Sequence, residues 1–123
     1  MDDIQLFFNK SPQLLPLYRA IEDMLVAEFE EVRVKVQKTQ ISFYNRHLFA
    51  CASLHLRKGK GWPALCLVFT LGLNRKLAHP RVAYAVEPYP GRWTHHILIQ
   101  NGKELDDELL EWTREAYVFA MMK

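Results

Sequence analysis

Between Arg33 and Val86 there is not one aspartate or glutamate. The stretch holds ten lysines and arginines, and all fourteen acidic residues lie outside it, seven before and seven after. In a chain whose formal net charge is only +2, this segregation says more than the total. Acidic helices and a basic sheet are expected, with nucleic acid or an acidic protein as the partners such a sheet would suit. Cysteine is also scarce. Cys51 and Cys66 sit in apolar, strand-like runs without the short spacing of zinc or redox pairs, so two buried free thiols are expected unless their strands are neighbours.

Other absences narrow the function. No apolar run approaches the roughly twenty residues of a membrane helix. The N-terminus opens with Asp2 and Asp3, not with a basic region before an apolar core, so a cytoplasmic protein is expected. Gly59 and Gly61 flank Lys60 but precede a strand, whereas a phosphate-cradling loop must open a helix. No strand-turn-helix nucleophile setting, metal-ligand spacing or cofactor fingerprint occurs. There are no internal repeats or low-complexity tracts. The chain reads as non-catalytic, with neither cofactor nor metal.

What is present is a single-domain length of 123 residues, half of them apolar. Residues 1–10 read as an N-terminal arm, an extended lead-in or a staple, in which Ile4, Leu6, Phe7 and Phe8 seek cover; residues 11–123 read as one α+β domain. Ser11 and Pro12 suit a helix start, and Leu14, Leu17, Tyr18, Ile21, Leu25 and Phe29 recur at helical spacing. Pro16 predicts either a kink or a continuous helix that begins only there.

From Val32 the period drops to two, with a break near Gln37 to Thr39, a turn at Asn45 to His47 and a further strand from Leu48 to Leu56. The apolar run Trp62 to Leu73 predicts the central strand. A partial strand is expected near Val82 to Val86, closed by Pro88, Pro90 and Gly91. Trp93 to Gln100 alternates as a last strand, and a helix from about Asp106 to Met121 carries its acids at the positive end. The sum is a two-layer fold: a mainly antiparallel sheet of four to five strands, with the N-terminal and C-terminal helices packed on one side.

Lys38, Thr39, Ser42 and Tyr44 are candidates to join Trp93, His95 and His96 in a ligand-binding patch, should the first and last strands meet on one face. Lys38 would neutralise a phosphate and Tyr44 or Trp93 would stack on a base. Lys58, Lys60, Arg75 and Lys76 are candidate contacts to a nucleic-acid backbone. Two alternatives stand beside a binding module. One is a small enzyme or metal-handling protein using His95 or His96, although neighbours on a strand point to opposite faces. The other is an oligomer, for instance a homodimer, assembled through an uncovered sheet edge or an apolar face, with Phe49 and Trp62 as exposed candidates.

The run Lys38, Thr39, Gln40, Ile41, Ser42, Phe43, Tyr44, then Phe49 and Ala50, then Trp93, Thr94, His95 and His96, and finally Leu105 to Tyr117 resembles a bacterial and archaeal family. It is the domain of unknown function numbered 5655, sometimes labelled a predicted transport protein, and it covers nearly all of the chain beyond residue 10. His47 and Leu48 depart from the pair that members more often carry before Phe-Ala. The resemblance implies a small α+β fold. A more distant likeness is to YdhG-like domains, for which iron handling has been suggested; no ligand cluster in this sequence supports carrying that over.

Overall fold

The computed structural model describes residues 2–54 and 61–123. Alternation of side chains builds one antiparallel sheet from β1 (Arg33–Val36), β2 (Ile41–Tyr44), β3 (Leu48–Leu54), β4 (Leu67–Leu73), β5 (Val82–Tyr89) and β6 (Arg92–Ile99). The spatial order is β1-β2-β3-β4-β6-β5. Three helices accompany it: α1 (Asp3–Phe7), α2 (Leu15–Glu28) and α3 (Asp107–Met122). Six strands replace the expected four to five. Val32 to Tyr44 divides into two strands around the turn closed by the Gln37 amide donating to the Gln40 carbonyl at 2.8 Å. The partial strand at Val82 is a full edge strand that runs through Pro88, because an edge position demands no ladder donor from proline. It ends instead at a turn where Gly91, at φ +74°, supplies the left-handed backbone that a side chain resists.

The N-terminal segment is helical over Asp3–Phe7, not extended, with the Asp2 side chain accepting from the Gln5 amide. Phe8 behind it is buried and its ring lies 5.4 Å from Tyr18, which stacks on Phe43 of β2 at 6.2 Å. Ser11 makes no side-chain cap. A 3-10 turn over Pro12–Leu14 precedes α2, and Pro16 stands in the first turn of α2, where its missing N–H costs no hydrogen bond. At the other terminus Asp106 caps α3 by accepting from the Leu109 amide, and Arg81 holds its carboxyl below the usual carboxylate range.

One face of the sheet carries the core. Ile41 and Phe43 of β2, Ala50 and Ala52 of β3, Phe69 and Leu71 of β4, and Ile97 and Ile99 of β6 are buried in one cluster with Tyr18, Ile21 and Leu25 of α2 and with Leu109, Trp112, Ala116 and Ala120 of α3. Phe49, expected as an exposed contact residue, belongs to this core. A register shift places Ala50 opposite Phe43 and Leu48 opposite Tyr44, which leaves Phe49 as the extra residue of a bulge. Its ring then packs on Phe29 at 5.7 Å and on Tyr117 at 5.0 Å, while Phe29 and Tyr117 stack at 4.1 Å. Both cysteines are free and buried. Cys51 pairs with Thr70, four residues from Cys66, a separation of about 13 Å along a strand that rules out a bond between them.

Candidate functional site

The second face of the sheet carries no helix-facing core, and the register places a single row of side chains across all six strands there. Lys35 lies opposite Ser42, Ser42 opposite Cys51, Cys51 opposite Thr70, Thr70 opposite His96, and His96 opposite Tyr84. The row is wired at both ends. Tyr84 stacks on the His96 ring at 4.2 Å, and Trp62 stacks on Tyr84 at 6.0 Å. The His96 Nδ1 lies 3.1 Å from the Thr70 hydroxyl. At the β2 end, the Ser42 hydroxyl donates to Gln37 Oε1 at 2.6 Å and accepts from Gln40 Nε2 at 2.8 Å.

The electrostatics follow from the same alternation. None of the register-paired residues on this face is an aspartate or glutamate; Arg33 and Lys35 project from β1, and Arg92 opens β6. Burial pushes the His96 imidazole below the usual histidine range, and the neighbouring His95 adds to the effect, so the ring is neutral at pH 7. Burial pushes the Cys51 thiol up, away from the reactive thiolate.

Two depressions border the row. The first, about 370 Å³, lies between the segment at Trp62 and Pro63 and the β5–β6 edge, with Ala83, Leu98 and Gln100 among its walls. The second, about 140 Å³, is formed where Cys51, Thr70, Gly72 and Thr94 meet Lys123. Burial and the nearby Arg92 push the Lys123 ammonium down, a sign that two cations share that corner. A larger hollow, about 530 Å³, is elsewhere: it lies along α3, with Glu111 and Glu115 beside Val118 and Phe119.

The residues singled out from the sequence do not converge. β2 and β6 are separated by β3 and β4, roughly 14 Å at the usual strand spacing, so the first and last candidate segments never meet. Of the set, Ser42, Tyr44 and His96 point to the open face, whereas Trp93 and His95 point to the helix layer. Lys38 is exposed in the β1–β2 turn. His95 is fully buried; its Nε2 accepts the Leu77 amide at 2.8 Å, and among the described residues its Nδ1 has no hydrogen-bond partner. Burial depresses its proton affinity against the opposing pull of backbone groups at Leu71 and Trp93. Neither histidine ring hydrogen-bonds to a carboxylate or thiol, and among the described residues no group of three histidine, cysteine or acidic side chains is placed to hold a metal ion.

The acid-free stretch does not form one cationic platform either. Arg75 binds Glu115 of α3 through two hydrogen bonds of 2.8 Å, and Arg81 binds Asp106 at 2.8 Å and Glu108 at 3.2 Å. Lys76 lies 5.6 Å from the Trp93 ring on the helix side. Lys58 and Lys60 lie outside the described residues. The sequence reading missed Tyr84, Gln37 and Gln40, since Tyr84 becomes visible only once β5 is recognised as a strand whose alternation places it beside His96.

No curated protein and no solved structure matches the chain. A family model described as Domain of unknown function (DUF5655) matches residues 4–120, nearly the whole sequence, and the chain belongs to that family.

Proposed function

We propose that the open face of the sheet is a binding surface for single-stranded nucleic acid. The observation that carries this reading is a face with Arg33 and Lys35 on the β1 edge, Arg92 together with the aromatic ladder of Trp62, Tyr84 and His96 at the β6–β5 end, and no carboxylate among its register-paired residues. Proteins that hold unpaired strands join a positive track for phosphates to rings on which bases stack, at about 1–3 kcal/mol per stacked base. A sheet suits this task because its side chains stand at regular spacing; here Lys35 and Tyr84 are exposed toward the two edges while Ser42 and Cys51 between them are buried, and six strands span about 24 Å, the reach of several nucleotides. The depression beside Trp62 and Pro63, walled also by Ala83, Leu98 and Gln100 and by the charged Arg81 and Glu104, is a mixed polar and apolar cleft with room for an unstacked base. Duplex DNA is the poorer fit, since its bases are already stacked and paired.

The test is fluorescence anisotropy of the full chain with labelled single-stranded and duplex oligonucleotides at low and moderate salt. Tighter binding to single strands, weakening as salt rises, is expected. Tyr84→Ala should weaken binding at every salt concentration. Lys35→Glu and Arg92→Glu should weaken it and flatten the salt dependence. Absence of binding at low salt, or a preference for duplex, removes the proposal.

A further inference from the structure

We infer that the outer edge of β5 is an interface for a second copy of this chain, paired antiparallel about a two-fold axis near Ala85. The two edges of the sheet are built differently. β1 is four residues long and alternates Arg33 and Lys35 with valines, the short charged edge that discourages pairing. β5 is eight residues long, and its stretch Val82, Ala83, Tyr84, Ala85 and Val86 has no charge. Tyr84 and Val86 are 47% and 45% exposed. Such an uncharged, β-prone stretch, which among the described residues has no strand on its outer side, is a template for another strand.

The pattern selects a second copy as the occupant. Tyr84 and Val86 both point to the open face, opposite His96 and Thr94. Under a two-fold axis at Ala85, each Tyr84 meets the partner's Val86, an aromatic to β-branched pair of the kind that stabilises sheets, and it does so twice. Ala85 meets the partner's Ala85, so no bulk obstructs the axis. Glu87, the nearest charge, meets the partner's Ala83 and opposes no like charge. The contact is isologous and therefore closes at two copies, not a fibre. Register shifts between Val82 and Tyr84 and between Val86 and Tyr89, with Pro88 in the second, confine pairing to a short span. The dimer is accordingly weak and concentration-dependent. It would place two open faces side by side, but it stands whether or not those faces bind nucleic acid.

Sedimentation velocity on the full chain from about 10 µM to about 1 mM tests this over the range expected of a small interface. The weight-average mass should climb toward twice the monomer value. Val86→Lys should weaken association at least tenfold with an unchanged far-UV circular dichroism spectrum, whereas Lys35→Glu on the opposite edge should leave it unchanged. Independently of any variant, the amides of Tyr84 to Val86 should exchange hydrogen more slowly as the wild-type concentration rises, while that of Lys35 does not. A monomer throughout, a dimer undisturbed by Val86→Lys, or exchange at β5 indifferent to concentration overturns the inference.

Discussion

His95 and His96 are adjacent in the chain and sit in different media. His95 points to the helix layer, is sealed from water, and spends one nitrogen on the Leu77 amide. His96 points to the open face, half-buried between Thr70 and the Tyr84 ring. The same contrast runs along β4, where Phe69 and Leu71 fill the core while Thr70 between them belongs to the polar row. A strand gives each face every second residue, so a single backbone builds an apolar seal on one side and a hydrogen-bonded surface on the other. Stability should therefore reside on one face and recognition on the other, and variants at neighbouring positions test that division.

The largest expected contrast is at β4. Phe69→Ala removes a fully buried ring and should lower unfolding free energy by about 3–5 kcal/mol. Thr70→Ala removes one hydroxyl and should cost about 0.5–1.5 kcal/mol. Urea titration of both variants measures the ratio; equal losses would deny that the two faces differ in kind.

Next come the histidines. His95→Ala opens a cavity and strands the Leu77 amide, for about 2–4 kcal/mol. His96→Ala loses a partly exposed stack and one hydrogen bond, for about 1 kcal/mol. A larger loss at His96 would mean that the open face carries the fold.

Acidification sharpens the comparison further. Both imidazoles are held below the ordinary histidine value of 6.5, mainly by burial. Between the depressed folded values and the unfolded value, the unfolded chain binds more protons, so stability rises with pH across that window. Their contribution is intact above about pH 6.5 and is lost as pH falls through the folded values, with a slope of at most about 1.4 kcal/mol per pH unit and site. Thermal melts from pH 8 to pH 5 should be level at first and then decline. His95→Gln and His96→Gln should each shallow the decline, and a wild-type profile flat from pH 7 to pH 5 would remove the buried-histidine account.

The smallest effect is expected where a cation has left the sheet for the helix layer. Arg75→Gln breaks an exposed pair with Glu115 and should change stability by less than about 1 kcal/mol. The same substitution should not alter oligonucleotide affinity, because Arg75 is already neutralised by α3. A marked loss of binding would move the interface away from the open face.

Much of this architecture was legible in the residues. The alternation of Trp93, His95, Ile97 and Ile99 placed the two histidines on opposite faces, and the helical spacing of Leu14 to Phe29 and Leu105 to Ala120 defined the long helices. Pro16 marked where continuous helix begins. The candidate site was less legible. Tyr84 lies in a strand whose pattern is interrupted by two register shifts and a proline, so no clean alternation announces it. Phe49 reads as outward-facing by simple parity, and a one-residue bulge reverses it. The charge run read as one surface because sequence records the sign of Arg75 and Arg81 but not the Glu115, Asp106 and Glu108 that fold against them.

The residues alone determined the periods, the apolar stripes and the acid-free span, because each is a local property of neighbouring side chains and their volumes. Tertiary structure decided which strands lie side by side, and with them the row from Lys35 to Tyr84 and the separation of β2 from β6. Pairing joins segments distant in sequence through backbone hydrogen bonds that every residue can make, so partner choice depends on the packing of the whole core.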